Sequence, residues 1–256
     1  MRIVFCLFLL VFLTSLQRAI AGSHYDPARE VDVELVLAVD ISQSMDREEQ
    51  EIQRAGYVAA LTSPEVLEAI RHGPLGKIAV AYMEWGSTGD QFIVADWSVI
   101  HDSSTAAAFA TKIAEAPLRH SQRTSISAAL SQAAKMIATN PYDGLRKVID
   151  MSGDGPNNQG EKVSVIRDLV ISAGITINGL PLILKRDSWQ MLMNVDNYYA
   201  DCVIGGPGHF SIPVYNKEDF VKAIKMKLIL EIAGIPQQES VMKADVRKPV
   251  NCSLYD

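Results

Sequence analysis

The sequence predicts an α/β fold: a doubly wound, mostly parallel central sheet with one antiparallel strand and helices on both faces. Three observations predict it. Val33 to Val39 is a near-continuous apolar and β-branched run, interrupted only by Glu34, as a strand covered on both faces requires. Strand-like runs then alternate with segments of helical spacing along most of the chain. Finally, Gly86-Ser87-Thr88-Gly89-Asp90 separates two strand-like runs with hairpin turn composition, which makes one strand antiparallel.

The elements follow in order. After the first strand, Asp46 to Leu61 is charged at first and then carries Ile52, Ala55 and Ala59 at helical spacing; Pro64 opens a second short helix through Ile70. Lys77 to Met83 and Gln91 to Ala95 are the hairpin strands. Ser103-Ser104-Thr105 can cap a helix that runs through Glu115, with Pro117 ending it. Ser125 begins the cleanest amphipath, with Ile126, Ala129, Leu130, Ala133, Ala134 and Ile137 on one stripe. Arg146 to Met151 is a strand, Val163 to Ala173 a helix with Val163, Ile166 and Val170 inward, and Ile175 to Ile183 a strand after the helix-stopping Gly174. Ser188 to Tyr199 is expected to be helical, and Cys202 to Val214 to hold short extended pieces around Gly205-Gly206-Pro207-Gly208. Phe220, Ile224, Leu228 and Ile232 mark the last helix.

Composition narrows the class of function. With 256 residues, 48% hydrophobic and 21% charged, the chain can bury one sizeable core and is neither disordered nor fibrous. The formal charge of −6 becomes −8 without residues 1–21, which hold Arg2 and Arg18 and no acid, so nucleic acid is a poor partner. Met1-Arg2, the apolar run Ile3 to Leu13 and Ala19-Ile20-Ala21 before Gly22 have the layout of a secretory signal peptide, because the run falls well short of the roughly 20 residues that span a bilayer. The expected organisation is a signal peptide at 1–21, a polar leader at 22–32, one domain at 33–235 and a tail at 236–256, with no membrane span after cleavage.

Export also removes Cys6 and leaves Cys202 and Cys252 in an oxidising compartment, where a disulfide between them would tether the apolar-poor tail. In the chain-entropy picture, closing a loop of that length stabilises by up to roughly 4 kcal/mol.

In doubly wound sheets, ligands bind beyond the carboxyl ends of the strands. The loops there carry a set of oxygen donors: Asp40-Ile41-Ser42-Gln43-Ser44 after the first strand, Thr124 at the start of the amphipathic helix, and Ser152-Gly153-Asp154-Gly155 after another strand. A hard divalent cation such as Mg2+ wants several anionic and neutral oxygens at about 2.1 Å. Asp40, Ser42, Ser44, Thr124 and Asp154 are that inventory. No His or Cys accompanies them, which argues against zinc, and two carboxylates leave a dication able to attract a further anion.

This pattern, Asp40-x-Ser42-x-Ser44, then a lone Thr124, then Asp154-Gly155, resembles the metal-ion-dependent adhesion site of von Willebrand factor A-type domains over about residues 32 to 232. The resemblance implies that Ser42, Ser44 and Thr124 are metal ligands. It makes Asp40 and Asp154 charge partners that act directly or through water, and it lets an acidic residue of a protein partner complete the shell around Mg2+, Mn2+ or Ca2+. The stretches Ser152 to Asn157 and Tyr198 to Gly208 look like those of an uncharacterised proteobacterial subgroup of secreted von Willebrand A-like proteins. One departure is the lead into the threonine, His120-Ser121-Gln122-Arg123, which replaces a longer glycine-rich segment; a guanidinium there competes with a cation unless it points away.

The function expected is therefore a non-enzymatic, metal-dependent protein-binding module, periplasmic or secreted. The alternative is a serine or metal-assisted hydrolase on the same scaffold. It would draw on Ser152, Asp154 and His209, but the chain lacks G-x-S-x-G and a two-metal carboxylate set. Export has a direct check: the intact mass of protein recovered from the periplasm or medium is expected to begin at Gly22, and a mass that includes Met1 to Ala21 would contradict cleavage.

Overall fold

The computed structural model describes residues 26–184, 194–234 and 249–254; the expected signal peptide, part of the leader and most of the tail lie outside them. Five strands, β1 (Glu30–Asp40), β2 (Ile78–Trp85), β3 (Gln91–Ile100), β4 (Asp143–Gly153) and β5 (Thr176–Pro181), form one sheet in the order β3-β2-β1-β4-β5. β1 pairs parallel with β2 and with β4, β4 parallel with β5, and β2 antiparallel with β3, as the hairpin composition predicts. β1 takes the centre because every residue from Val31 to Asp40 is buried, which only a strand with neighbours on both edges and cover on both faces allows.

The helices are α1 (Arg47–Leu61), α2 (Pro64–Arg71), α3 (Ser103–Glu115), α4 (Ile126–Thr139), α5 (Val163–Ser172), the single turn α6 (Val195–Tyr198) and α7 (Phe220–Ala233). On one face, Val33, Leu35, Leu37 and Val39 of β1 pack with α1, α2, α3 and α7. On the other, Val36 and Ala38 pack with α4, α5 and α6, so the period-2 alternation of β1 feeds two separate cores. Among the described residues no helix is long and apolar enough to cross a membrane.

Three local expectations are corrected. α3 is capped by Asp102, which exchanges bonds with Thr105 in a capping box, and not by the serines that follow it. On α1 the stripe of Ile52, Ala55 and Ala59 is inward only at Ile52, which packs against the core: Ala55 and Ala59 are exposed, and the buried stripe is Gln53, Arg54, Tyr57, Ala60 and Leu61, polar at its first turns. The helix expected over Ser188 to Tyr199 falls partly outside the described residues; from Val195 it is one α turn, which widens into a π turn at Tyr199–Val203 that absorbs Cys202.

The structure contains the Cys202–Cys252 disulfide. The backbone N–H of Val250 also donates to Asp201 Oδ2 at 2.8 Å, so the end of the chain is tied to the π turn by a covalent and a polar contact. Glu34, the only interruption in the first apolar run, is fully buried on β1; Gly144 N–H donates to it at 2.7 Å and Asn140 Nδ2 at 2.6 Å, which fixes the turn from α4 into β4.

A second buried charge cluster joins α7 to the sheet. Lys227 Nζ lies 2.7 Å from Asp150 Oδ1 and also pairs with Glu231, while Asn178 Nδ2 donates to Glu231 Oε1 at 3.0 Å; all four side chains are buried. One ammonium cannot neutralise two carboxylates, and burial, with the Asp150 charge second, pushes Glu231 up from 4.5 to about 7. A carboxyl that holds its proton more tightly in the folded state contributes stability fully below its unfolded value and loses it as pH rises through its folded value. Glu231→Gln, neutral at every pH, is expected to flatten the fall in stability between pH 4.5 and about 7 by on the order of 1–3 kcal/mol in urea denaturation. Equal slopes in variant and wild type would contradict this account.

Candidate metal centre

The parallel register of β1 against β4, with Val39 opposite Ser152, brings the loops after both strands to one edge of the sheet. Asp40, fully buried, ends β1. Its Oδ1 accepts the backbone N–H of Ser42 at 2.7 Å, which turns the chain so that Ser42 and Ser44 follow on the same side. The Ser42 and Ser44 hydroxyl oxygens stand 3.2 Å apart, and Ser44 Oγ donates to Asp154 Oδ1 at 2.5 Å, so the first and third segments meet through side chains. Asp46 then starts α1 in a reciprocal capping box with Glu49.

Thr124, 5% exposed, is set by the loop after Asp154: its N–H donates to Asn158 Oδ1 at 3.0 Å, and its carbonyl accepts from Asn158 N–H at 2.8 Å. Ser125 caps α4 and donates to the Gln159 carbonyl at 2.8 Å, while Asn157 Oδ1 accepts the Ser127 N–H at 3.1 Å. Loop 157–159 thus wraps the start of α4 and sets the backbone of Thr124.

The departure in the lead to Thr124 has a physical explanation. Ser121 N–H donates to the Ile41 carbonyl and Ser125 N–H to that of Gly86, so the loop lies directly on the ends of β1 and β2. A Cβ on Gly86 would stand 2.1 Å from the Ser121 Cβ, so the glycine that permits this approach sits across from the loop and not within it. Ser121 donates to Asp90 Oδ2 at 2.5 Å and accepts from Ser87 N–H at 2.7 Å. Arg123 is exposed, and His120 is exposed and contacts Gln50 at the surface.

From beneath, α1 braces the site with the polar residues of its buried stripe. Gln53 Nε2 donates to the Asp40 carbonyl at 3.1 Å and Gln50 Nε2 to that of Met45 at 3.2 Å. Arg54 pairs with buried Glu84 at 2.5 Å and donates to the carbonyls of Ala116 and Pro117, at the root of the loop that leads to Thr124. These braces escape an apolar-periodicity reading. Their signal is a polar run, Gln50, Gln53 and Arg54, in register with Tyr57 and Leu61.

Burial, and then the neighbouring Asp154 charge, push Asp40 up from 3.8 to about 8, and its Oδ2 is buried with no hydrogen-bond partner. Hydroxyl and carboxylate oxygens around an unmet carboxylate oxygen fit a hard divalent cation. Among the described residues no group of three His, Cys, Asp or Glu is placed to hold a metal. A hydrolytic pair is not assembled. Ser152 turns its hydroxyl to the Ala38 carbonyl inside the sheet, and His209 bonds the Gly206 carbonyl at the surface.

Comparison with known proteins bears on the family and the fold. Residues 30–236 match the family DUF1194, described as protein of unknown function. No curated protein matches in sequence. Among solved structures, the pilus adhesin SpaC of Lactobacillus rhamnosus GG superposes with a TM-score of 0.57 at 13% identity, over 79% of this chain and 30% of that one. The von Willebrand factor domain of the type V pili tip protein Mfa5 of Porphyromonas gingivalis gives 0.54 at 12% identity, over 82% and 98%. Proximal thread matrix protein 1 of the mussel byssus, with a zinc-occupied metal-ion-dependent adhesion motif, gives 0.51 at 14% identity, over 80% and 48%. The chain spans less than half the length of SpaC and of the byssus protein. It belongs to the DUF1194 family and has the fold of von Willebrand factor type A domains.

Proposed function

We propose that this protein is an exported, non-enzymatic binding module that recognises an acidic residue of a protein partner through a divalent cation, Mg2+ first among the candidates. The observation that carries the reading is the buried, unpartnered Oδ2 of Asp40 beside Asp154 and the hydroxyls of Ser42 and Ser44. An uncompensated carboxylate in a buried position is costly unless something positive meets it.

Ser42, Ser44 and Thr124 would hold the cation, with Asp40 and Asp154 supplying charge; Mn2+ and Ca2+ suit the same oxygens. When bound, such an ion offers an open position to a carboxylate oxygen. The chain's own residues orient that position: Asn158 fixes Thr124, Gln53 fixes the end of β1, and Arg123 is exposed. A groove of about 450 Å3 between the β2–β3 turn, α4 and the loop before α5, lined by Thr88, Gln91, Ser127, Ser131, Lys135 and Glu161, gives a partner further surface to contact. The likeness to pilus adhesins and the signal-like N-terminus support a role outside the cytoplasm, periplasmic or secreted; a net charge of −6 disfavours nucleic acid.

Calorimetric titration of Mg2+ checks the reading. Wild type is expected to bind one ion, and Asp40→Ala and Ser42→Ala to bind more than about tenfold more weakly with unchanged circular dichroism. Thr124→Ala is expected to weaken capture of a partner more than it weakens cation uptake. Partner capture that persists in EDTA and in Asp40→Ala would place recognition elsewhere.

A further inference from the structure

The metal edge contains a second buried oxygen without a partner. Tyr199, fully buried on the π turn, presents a hydroxyl that makes no hydrogen bond. Both unmet oxygens press on the same point of β4: a Cβ on Gly153 would stand 2.6 Å from Tyr199 Oη and 2.8 Å from Asp40 Oδ2. A side chain at Gly153 would therefore crowd both the phenol and the carboxylate.

The phenol is aimed there by several contacts. Tyr199 precedes by three residues Cys202, whose disulfide to Cys252 anchors the π turn; Arg167 Nη1 donates to the Asp201 carbonyl at 2.7 Å, and Ile204 N–H to the Tyr199 carbonyl at 3.0 Å. Its neighbour Tyr198 accepts the Asn157 N–H at 3.1 Å, which joins the same turn to the loop that sets Thr124. The i→i+5 widening at Tyr199 is thus fixed on both sides, and single π turns of this kind recur at functional sites. A tyrosine phenol, neutral near pH 7, can donate or accept a hydrogen bond there.

We propose that Tyr199 is a positioning residue of the metal edge: its hydroxyl supplies the hydrogen bond that Asp40 Oδ2 lacks, directly or through one water, and so aims that carboxylate at the cation. The idea rests on the metal reading above. It adds a residue outside the Asp-x-Ser-x-Ser, Thr and Asp set, and it gives the disulfide a role in the site as the anchor of the turn that carries the phenol. A donor to a liganding or charge-balancing carboxylate is a strong determinant of affinity, because it fixes the orientation of the group and stabilises its anionic form.

The test is Mg2+ titration of the full-length chain as wild type, Tyr199→Phe, Gly153→Ala and, as a control, Tyr82→Phe. Tyr82 also has a buried hydroxyl without a partner, but its ring packs against Tyr57 in the other core. Tyr199→Phe is expected to bind Mg2+ about tenfold more weakly at an unchanged melting temperature of the metal-free protein. Gly153→Ala, whose methyl would crowd both oxygens, is expected to weaken binding similarly, and Tyr82→Phe to bind as wild type does. A hydrogen-bonding role also has a spectroscopic signature. Adding Mg2+ to wild type should give a tyrosine difference band in the near ultraviolet that Tyr82→Phe retains and Tyr199→Phe lacks. Wild type that binds Mg2+, together with Tyr199→Phe of equal affinity and an unaltered difference band, overturns the role of Tyr199 alone. Wild type that takes up no cation overturns both the role and the reading on which it rests.

Discussion

Two carboxylates of like charge, Asp40 and Asp154, are held at one edge of the molecule by the parallel pairing of β1 with β4. Their proximity is imposed, since burial and mutual repulsion both oppose ionisation, and Asp40 is raised to about 8 as a result. The rest of the fold works around this constraint. The register Val39 opposite Ser152 sets how far each strand runs before its loop begins, and a slip of one residue would turn the side chains of β4 to the opposite faces. Sheet pairing that is buried on both faces resists such a slip, so the strained polar edge is supported by the apolar cores beneath it.

Support also comes from polar groups that the cores enclose. Gln53, Gln50 and Arg54 turn the first half of α1 into a brace for the loops after β1 and before α4, while Asn157 and Asn158 do the same from the loop after β4. These bonds run largely between side chain and backbone, a geometry that fixes a loop's path without making it apolar. Deeper down, Lys227 links α7 to Asp150 on β4, the strand that ends just before Asp154. The Lys227 system pairs its two carboxylates with a resident ammonium.

Much of this was legible in the sequence, for identifiable reasons. β1 stands out because a central parallel strand must be apolar throughout, and α4 because its inward stripe is small and regular. The five proposed donors lie at strand ends and a helix start, where Asp, Ser and Thr in a fixed order are conspicuous. The inward face of α1 was misjudged because its buried residues are polar where they touch the site, so hydrophobic spacing selected the alanines on the exposed side. Asp102 was overlooked as the cap of α3 since three hydroxyl residues follow it directly. Tyr199 could not be read as part of the edge, because its approach depends on a π turn and on the empty position at Gly153, neither of which leaves a periodic signal.

The central claim is that the hydroxyl and carboxylate oxygens at this edge are arranged for one divalent cation. Crystals of the mature protein grown with Mn2+ and measured at its absorption edge test it most directly, since anomalous scattering locates the ion independently of the chain. The account predicts a single anomalous peak within coordination distance, about 2.1–2.3 Å, of the Ser42 and Ser44 hydroxyls, with Asp40, Asp154 and Thr124 around it. An edge without a peak at saturating Mn2+, or an ion held elsewhere on the molecule, would contradict it.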